Sequence, residues 1–127
     1  MTINLTNAEG KIIELLWEER PLTMMQLTRR LEPTTGWTKH TVINILKRMQ
    51  QKGTVRVEEA KPAKLYYPLV DRPSVVESET RTFLDKVYEG KPMLLMSAMV
   101  EGGKLSPGEI DELLELLKRA KEERTDG

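Results

Sequence analysis

The sequence predicts a mainly α fold with one small β-hairpin, an N-terminal helix-turn-helix carrying a wing followed by a C-terminal helical domain. Three observations carry this. Apolar residues recur at helical spacing in three stretches before Gly53 and three after Pro73. Hydroxyl residues with an acid or amide three positions on open several of those stretches. The pattern switches to alternation only once, just after Gly53.

Thr6-Asn7-Ala8-Glu9 reads as a capping box, and the helix it opens turns Ala8, Ile12, Leu15 and Leu16 inward, ending near Glu19 ahead of Pro21. Thr23-Met24-Met25-Gln26 repeats the pattern before a short helix bearing Leu27 and Leu31. Pro33 is expected to stop that helix, because the residue before a proline disfavours the α region. Thr38 caps a third helix, whose Val42, Ile45, Leu46 and Met49 fall at i, i+3, i+4 and i+7, and Gly53 suits its left-handed C-terminal position. Val55 and Val57 then alternate with Arg56 and Glu58, and Leu65-Tyr66-Tyr67-Pro68-Leu69 follows the EAKPAK connection, which reads as a hairpin. Three helices and a hairpin in this order give a winged helix-turn-helix over residues 1–72.

Residues 73–127 read as three further helices. Ser74-Val75-Val76-Glu77 opens one that presents Val76, Phe83, Leu84 and Val87 before Gly90. Pro92 opens a Met-rich one ended by Gly102-Gly103. Ser106-Pro107-Gly108-Glu109 opens the last, with Ile110, Leu113, Leu114 and Leu117 on one stripe. So short a group buries little apolar surface alone, and a second copy is the simplest cover. The expected dimerisation surface is Phe83, Leu84, Val87, Leu94, Leu95, Ile110, Leu113, Leu114 and Leu117.

Composition narrows the function. The chain has 127 residues, 31% charged and 39% hydrophobic, which suits a water-soluble globular protein. The longest apolar patch, MLLMSAMV at 93–100, is far shorter than a membrane span, and the polar opening MTINLTNAEG is no signal peptide, so the expected compartment is the cytoplasm, without membrane insertion. Absent cysteine excludes disulfides and thiolate chemistry. The net charge of zero hides an asymmetry: residues 1–72 hold 12 Lys and Arg against 8 Asp and Glu, while residues 73–127 hold 8 against 12. Arg29, Arg30, Lys39, Lys47, Arg48, Lys52 and Arg56 cluster with only Glu32 among them. Such a cluster points to a polyanionic partner.

The outward face of the third helix is His40, Asn44, Lys47 and Gln51, with Arg48 beside it. Most amphipathic helices simply solvate that face. Here the helix is the second of a helix-turn-helix and carries no carboxylate, so double-stranded DNA is the expected partner. Thr38, Lys39 and Thr41 mark the N-terminus, where amides, hydroxyls and dipole suit a phosphate oxygen. Asn44 and Lys47 suit adenine and guanine edges. Lys61 and Lys64 flank the hairpin tip; they keep an edge soluble and also suit a phosphate backbone. Trp17 and Trp37 read as core anchors.

Catalytic and cofactor sites are not expected. His40 is the only histidine and builds neither a zinc site nor a triad alone. Met93, Met96 and Met99 offer thioethers suited to Cu(I), but methionine is common filler in helical cores. Gly102-Gly103 lacks the context of a phosphate loop. The rival to a DNA-binding repressor is a winged-helix adaptor that docks a protein, and it predicts a third helix without clustered base.

The segments LTNAEGKIIELLWEERPLT (5–23), GWTKHTVINILKRMQQKG (36–53), KLYYPLV (64–70), FLDKVYEG (83–90) and KLSPGEIDELLELL (104–117) resemble the penicillinase-repressor family. This group includes bacterial β-lactamase, methicillin-resistance and copper-transport repressors. The resemblance implies a homodimeric repressor on a palindromic operator upstream of resistance genes, its own among them, with the third helix in the major groove and the wing on backbone. It gives DNA contacts to Thr38, Lys39, Thr41 and Arg48. Ile43 stands where a basic residue is common and Asn44 where Thr is common, so a different operator or affinity is expected. The Cys-x-Cys arrangement of the copper branch is missing. In the β-lactam branch a membrane receptor-protease pathway leads to cleavage at an Asn-Phe bond. The matching positions are Ala98 and Met99, which differ in kind.

Overall fold

Each helix of the N-terminal part begins where a hydroxyl meets an amide. In the computed structural model, which describes residues 2–126, α1 (Asn7–Glu18) starts on Thr6, whose hydroxyl accepts from the Glu9 amide while Glu9 Oε1 accepts from the Thr6 amide at 2.8 Å. α2 (Met24–Thr35) has the same reciprocal box between Thr23 and Gln26. α3 (Lys39–Lys52) starts on Thr38 and ends on Gly53, at φ 80° in the left-handed region.

Pro33 does not stop α2. The helix runs two residues further and closes on Gly36 at φ 69°, with the Gly36 amide on the Glu32 carbonyl at 2.8 Å. So close to the C-terminus a proline deletes only one ladder bond. The Thr34 and Thr35 hydroxyls donate to the Leu31 carbonyl and hold the last turn.

β1 (Val55–Glu58) and β2 (Leu65–Pro68) pair antiparallel, Val55 opposite Pro68 and Glu58 opposite Leu65. Leu22, between α1 and α2, bridges Tyr66 through both amides, at 2.9 and 3.3 Å. That bridge seats the hairpin on the helices. The core lies beneath it: Ile12, Ile13 and Leu16 of α1 meet Leu27 and Leu31 of α2, Val42, Ile45, Leu46 and Met49 of α3, and Leu22, Val55 and Tyr66. Trp17 and Trp37 pack on this cluster as half-buried anchors, and Trp17 Nε1 donates to the Val70 carbonyl at 2.7 Å.

α4 (Arg72–Tyr88) begins earlier than its sequence suggests. Its cap is Asp71, whose Oδ1 accepts from the Ser74 amide at 2.8 Å, rather than Ser74. Proline near a helix start lacks only an amide that the helix leaves free, so Pro73 sits inside the first turn. α5 (Pro92–Glu101) and α6 (Pro107–Asp126) follow, and Ser106 and Glu109 close a reciprocal box on α6. The chain divides into two compact units, Met1–Thr80 and Arg81–Gly127, the division falling inside α4.

Candidate nucleic-acid interface

Four buried apolar residues press one side of α3 into the core and thereby fix its opposite side outward. That side exposes His40, Asn44, Lys47, Arg48 and Gln51. Its N-terminus is half prepared for an anion. The Thr38 hydroxyl accepts from the Thr41 amide and lies 3.3 Å from the Thr41 hydroxyl, while the Lys39 and His40 amides have no partner among the described residues. Two free amides at the positive end of a helix dipole suit a phosphate oxygen.

The basic cluster separates into paired and free cations. Arg30 is bound to Glu19, and Arg56 donates to Glu58 at 3.3 Å while lying over the Tyr67 ring at 4.1 Å. Lys52 is turned inward, its Nζ donating to Glu9 Oε1 at 2.7 Å and to the Asn4 carbonyl at 3.1 Å. Among the described residues no carboxylate pairs with Arg29, Lys39, Lys47, Arg48 or Lys61. Lys39, Lys47 and Arg48 of these share α3, which carries no acid. In the hairpin, by contrast, Glu58 and Glu59 lie among the cations, and Lys64 sits 3.5 Å from Glu59. Lys61 stays free. An exposed pair of this kind is worth at most about 1 kcal/mol, so Lys64 is easily recruited elsewhere.

Arg29 was not expected as a site residue. It is exposed and unpaired on α2, which packs against α3, and its place in the basic cluster was its only mark in the sequence. The inward turn of Lys52 is a loss to the cluster. Glu9 is wholly buried; burial alone pushes its carboxyl up, but the Lys52 ammonium and the Thr6 amide outweigh that and hold it below its ordinary value of 4.5. Nothing local in the sequence joins residues 43 positions apart.

The fold agrees with the comparisons. Residues 5–119 match the penicillinase repressor family. The chain belongs to that family. Family members are transcriptional repressors rather than enzymes. The penicillinase repressor of Bacillus licheniformis is 24% identical over 117 residues, spanning 92% of this chain and 91% of its own. The methicillin resistance regulatory protein MecI of Staphylococcus aureus is 24% identical over 118 residues, spanning 93% and 96%. The solution structure of the DNA binding domain of the repressor BlaI shares the fold of the N-terminal part, with a TM-score of 0.52 at 20% identity over 58% of this chain and 93% of that one. As a family member the chain is a winged-helix repressor, and among the described residues no helix is long and apolar enough to cross a membrane.

The second unit differs from the first in having no core of its own. None of the described residues from Arg81 onward is fully buried. Leu84, Leu95 and Leu113 are half-buried, while Phe83, Val87, Leu94, Ile110, Leu114 and Leu117 are exposed, Leu114 by 59%. Ala98 and Met99 lie in the last turn of α5. Their carbonyls accept from the Gly102 amide at 3.0 Å and the Lys104 amide at 3.2 Å.

Proposed function

We propose that this protein is a sequence-specific repressor that binds a palindromic operator as a homodimer, controls resistance-type genes and is released by an inducing signal. The outward face of α3 carries the reading. Lys39, Lys47 and Arg48 stand there exposed and unpaired on a helix without acid, and phosphates supply the missing anions. Asn44 and Lys47 lie where a major-groove helix presents side chains to base edges, and Thr38, Thr41 and His40 lie at the end that meets the backbone. Lys61 and Lys64 add backbone contacts from the hairpin. A resistance-type target follows from the relatives, named as penicillinase and methicillin-resistance regulators.

The apolar face of α4, α5 and α6 is the dimer surface in this reading. Phe83, Val87, Leu94, Ile110, Leu114 and Leu117 are all exposed, which is costly in water, and a second copy removes them from solvent. Two heads on one duplex gain avidity that separate copies lack, so any signal that parts the copies releases the DNA. Cleavage at Ala98–Met99 by a receptor-protease pathway is one such signal, and it requires the last turn of α5 to open first.

Equilibrium binding to an operator duplex across a salt series tests this reading. Log affinity should fall by about 0.9 per neutralised phosphate for each unit of log salt. Lys47→Ala and Arg48→Ala should each weaken binding and reduce that slope by about 1 where the cation meets a phosphate. Binding indifferent to salt, or to both substitutions, contradicts the proposal.

A further inference from the structure

We propose that Ile43 reads the 5-methyl group of a thymine in the major groove, an inference that rests on the DNA-binding reading of α3. The residue is anomalous where it stands. Taking about 100° per residue, Ile43 lies some 70° from the middle of the His40, Asn44, Lys47 and Gln51 face, on the same flank as Lys39 and Gln50. Its neighbours one turn away on either side are Lys39 and Lys47, both exposed and unpaired. It is only half-buried, and it is not one of the half-buried apolar side chains packed on the core cluster.

The part of this β-branched apolar side chain left in water gains nothing from phosphate and is not taken up by the core cluster. What a major groove offers such a group is the thymine methyl, the one apolar feature among its base edges. The flank suits this: Lys39, at the helix N-terminus, meets the backbone while Ile43 and, one turn on, Lys47 face the groove floor. Base preference at that position then comes from apolar contact, and adenine or guanine readout is left to Asn44 and Lys47. Lys39 supplies affinity, and the isoleucine adds discrimination at its own base pair.

The test begins with duplexes recovered from a random pool by the purified full-length protein. Each thymine of the recovered half-site is replaced singly by deoxyuridine, which deletes the methyl and leaves pairing intact. The wild type should lose about fourfold in affinity at one thymine per half-site, the value of burying one methyl group. Ile43→Ala should bind the thymine and deoxyuridine duplexes equally. Ile43→Val, which keeps a branched apolar contact, should retain part of the difference, and helical circular dichroism confirms that both variants are folded. Recovered half-sites without thymine, a wild type indifferent to every deoxyuridine, or an alanine variant as sensitive as the wild type would overturn the inference while leaving DNA binding in place. Failure to recover any enriched DNA would overturn the repressor reading and this inference together.

Discussion

Replacing Lys52 by methionine keeps most of the apolar stem and deletes the ammonium with its donors, so it probes the pairing with buried Glu9. In the native chain Glu9 Oε1 accepts from Lys52 Nζ at 2.7 Å and from the Thr6 amide at 2.8 Å, and Oε2 is buried without a partner. Removing the ammonium leaves a carboxylate out of water with one donor. Breaking a buried pair in this way costs roughly 3–5 kcal/mol. The Lys52 side chain is 33% exposed, so water replaces part of it and the expected loss at pH 7 is about 2–3 kcal/mol. Such a loss lowers the unfolding midpoint by roughly 10–20 °C in a domain of this size. Both tryptophans lie in the first unit, so urea unfolding followed by their fluorescence reports that unit. The pH dependence gives a second check. Glu9 in the folded protein titrates below its ordinary 4.5, so its stabilising contribution is complete above 4.5 and is lost as pH falls through the folded value. In the variant only the Thr6 contacts oppose the burial that raises the Glu9 pKa, so its carboxyl is neutralised earlier as pH falls and the missing ammonium costs less. The gap between wild type and Lys52→Met should therefore be wide at pH 7 and narrow below 4.5. Equal gaps at both pH values, or none at pH 7, would refute the role given to this pair.

Gly53→Ala should cost about 1 kcal/mol, because no atom lies within 4 Å of the added methyl and the whole penalty is the left-handed backbone at φ 80°; Gly53→Asn should recover most of it in the same urea titration. Leu114→Asp should shift the protein from dimer to monomer in sedimentation, while near-ultraviolet spectra of the first unit stay unchanged. On an operator duplex that variant should lose affinity by at least tenfold, since avidity goes with the second head. Arg29→Ala should weaken binding uniformly across operator sequences and reduce the salt slope by about 1 if Arg29 meets a phosphate; an unchanged slope would remove it from the interface.

Local signals in the sequence were dependable where one residue type has one physical use. Thr6 with Glu9, Thr23 with Gln26 and Ser106 with Glu109 are pairs three residues apart that satisfy each other's amides, and each closes as spacing predicts. The stripe from Val42 to Met49 is buried for the same reason. Signals failed where two local rules competed. At Pro33 the penalty on the preceding residue lost to the Thr34 and Thr35 hydroxyls and the Gly36 terminus. At Pro73 the capping pattern of Ser74 was displaced by Asp71 two residues upstream of the proline. Non-local pairing was beyond the sequence altogether. Arg30, Lys52 and Arg56 are as basic as Lys47, and only the folded chain brings Glu19 and Glu9 to the first two and lays Arg56 along the strand over Tyr67. The cation cluster was legible as a cluster; which of its members stay free was not.

Selection from a random duplex pool by the purified protein, followed by sequencing, tests the repressor reading most directly. Enrichment of an inverted repeat with half-sites about one helical turn apart is the predicted result, because two heads related by a twofold axis read such a site. A pool that stays unenriched after repeated rounds would contradict it and leave the outward face of α3 to a protein partner.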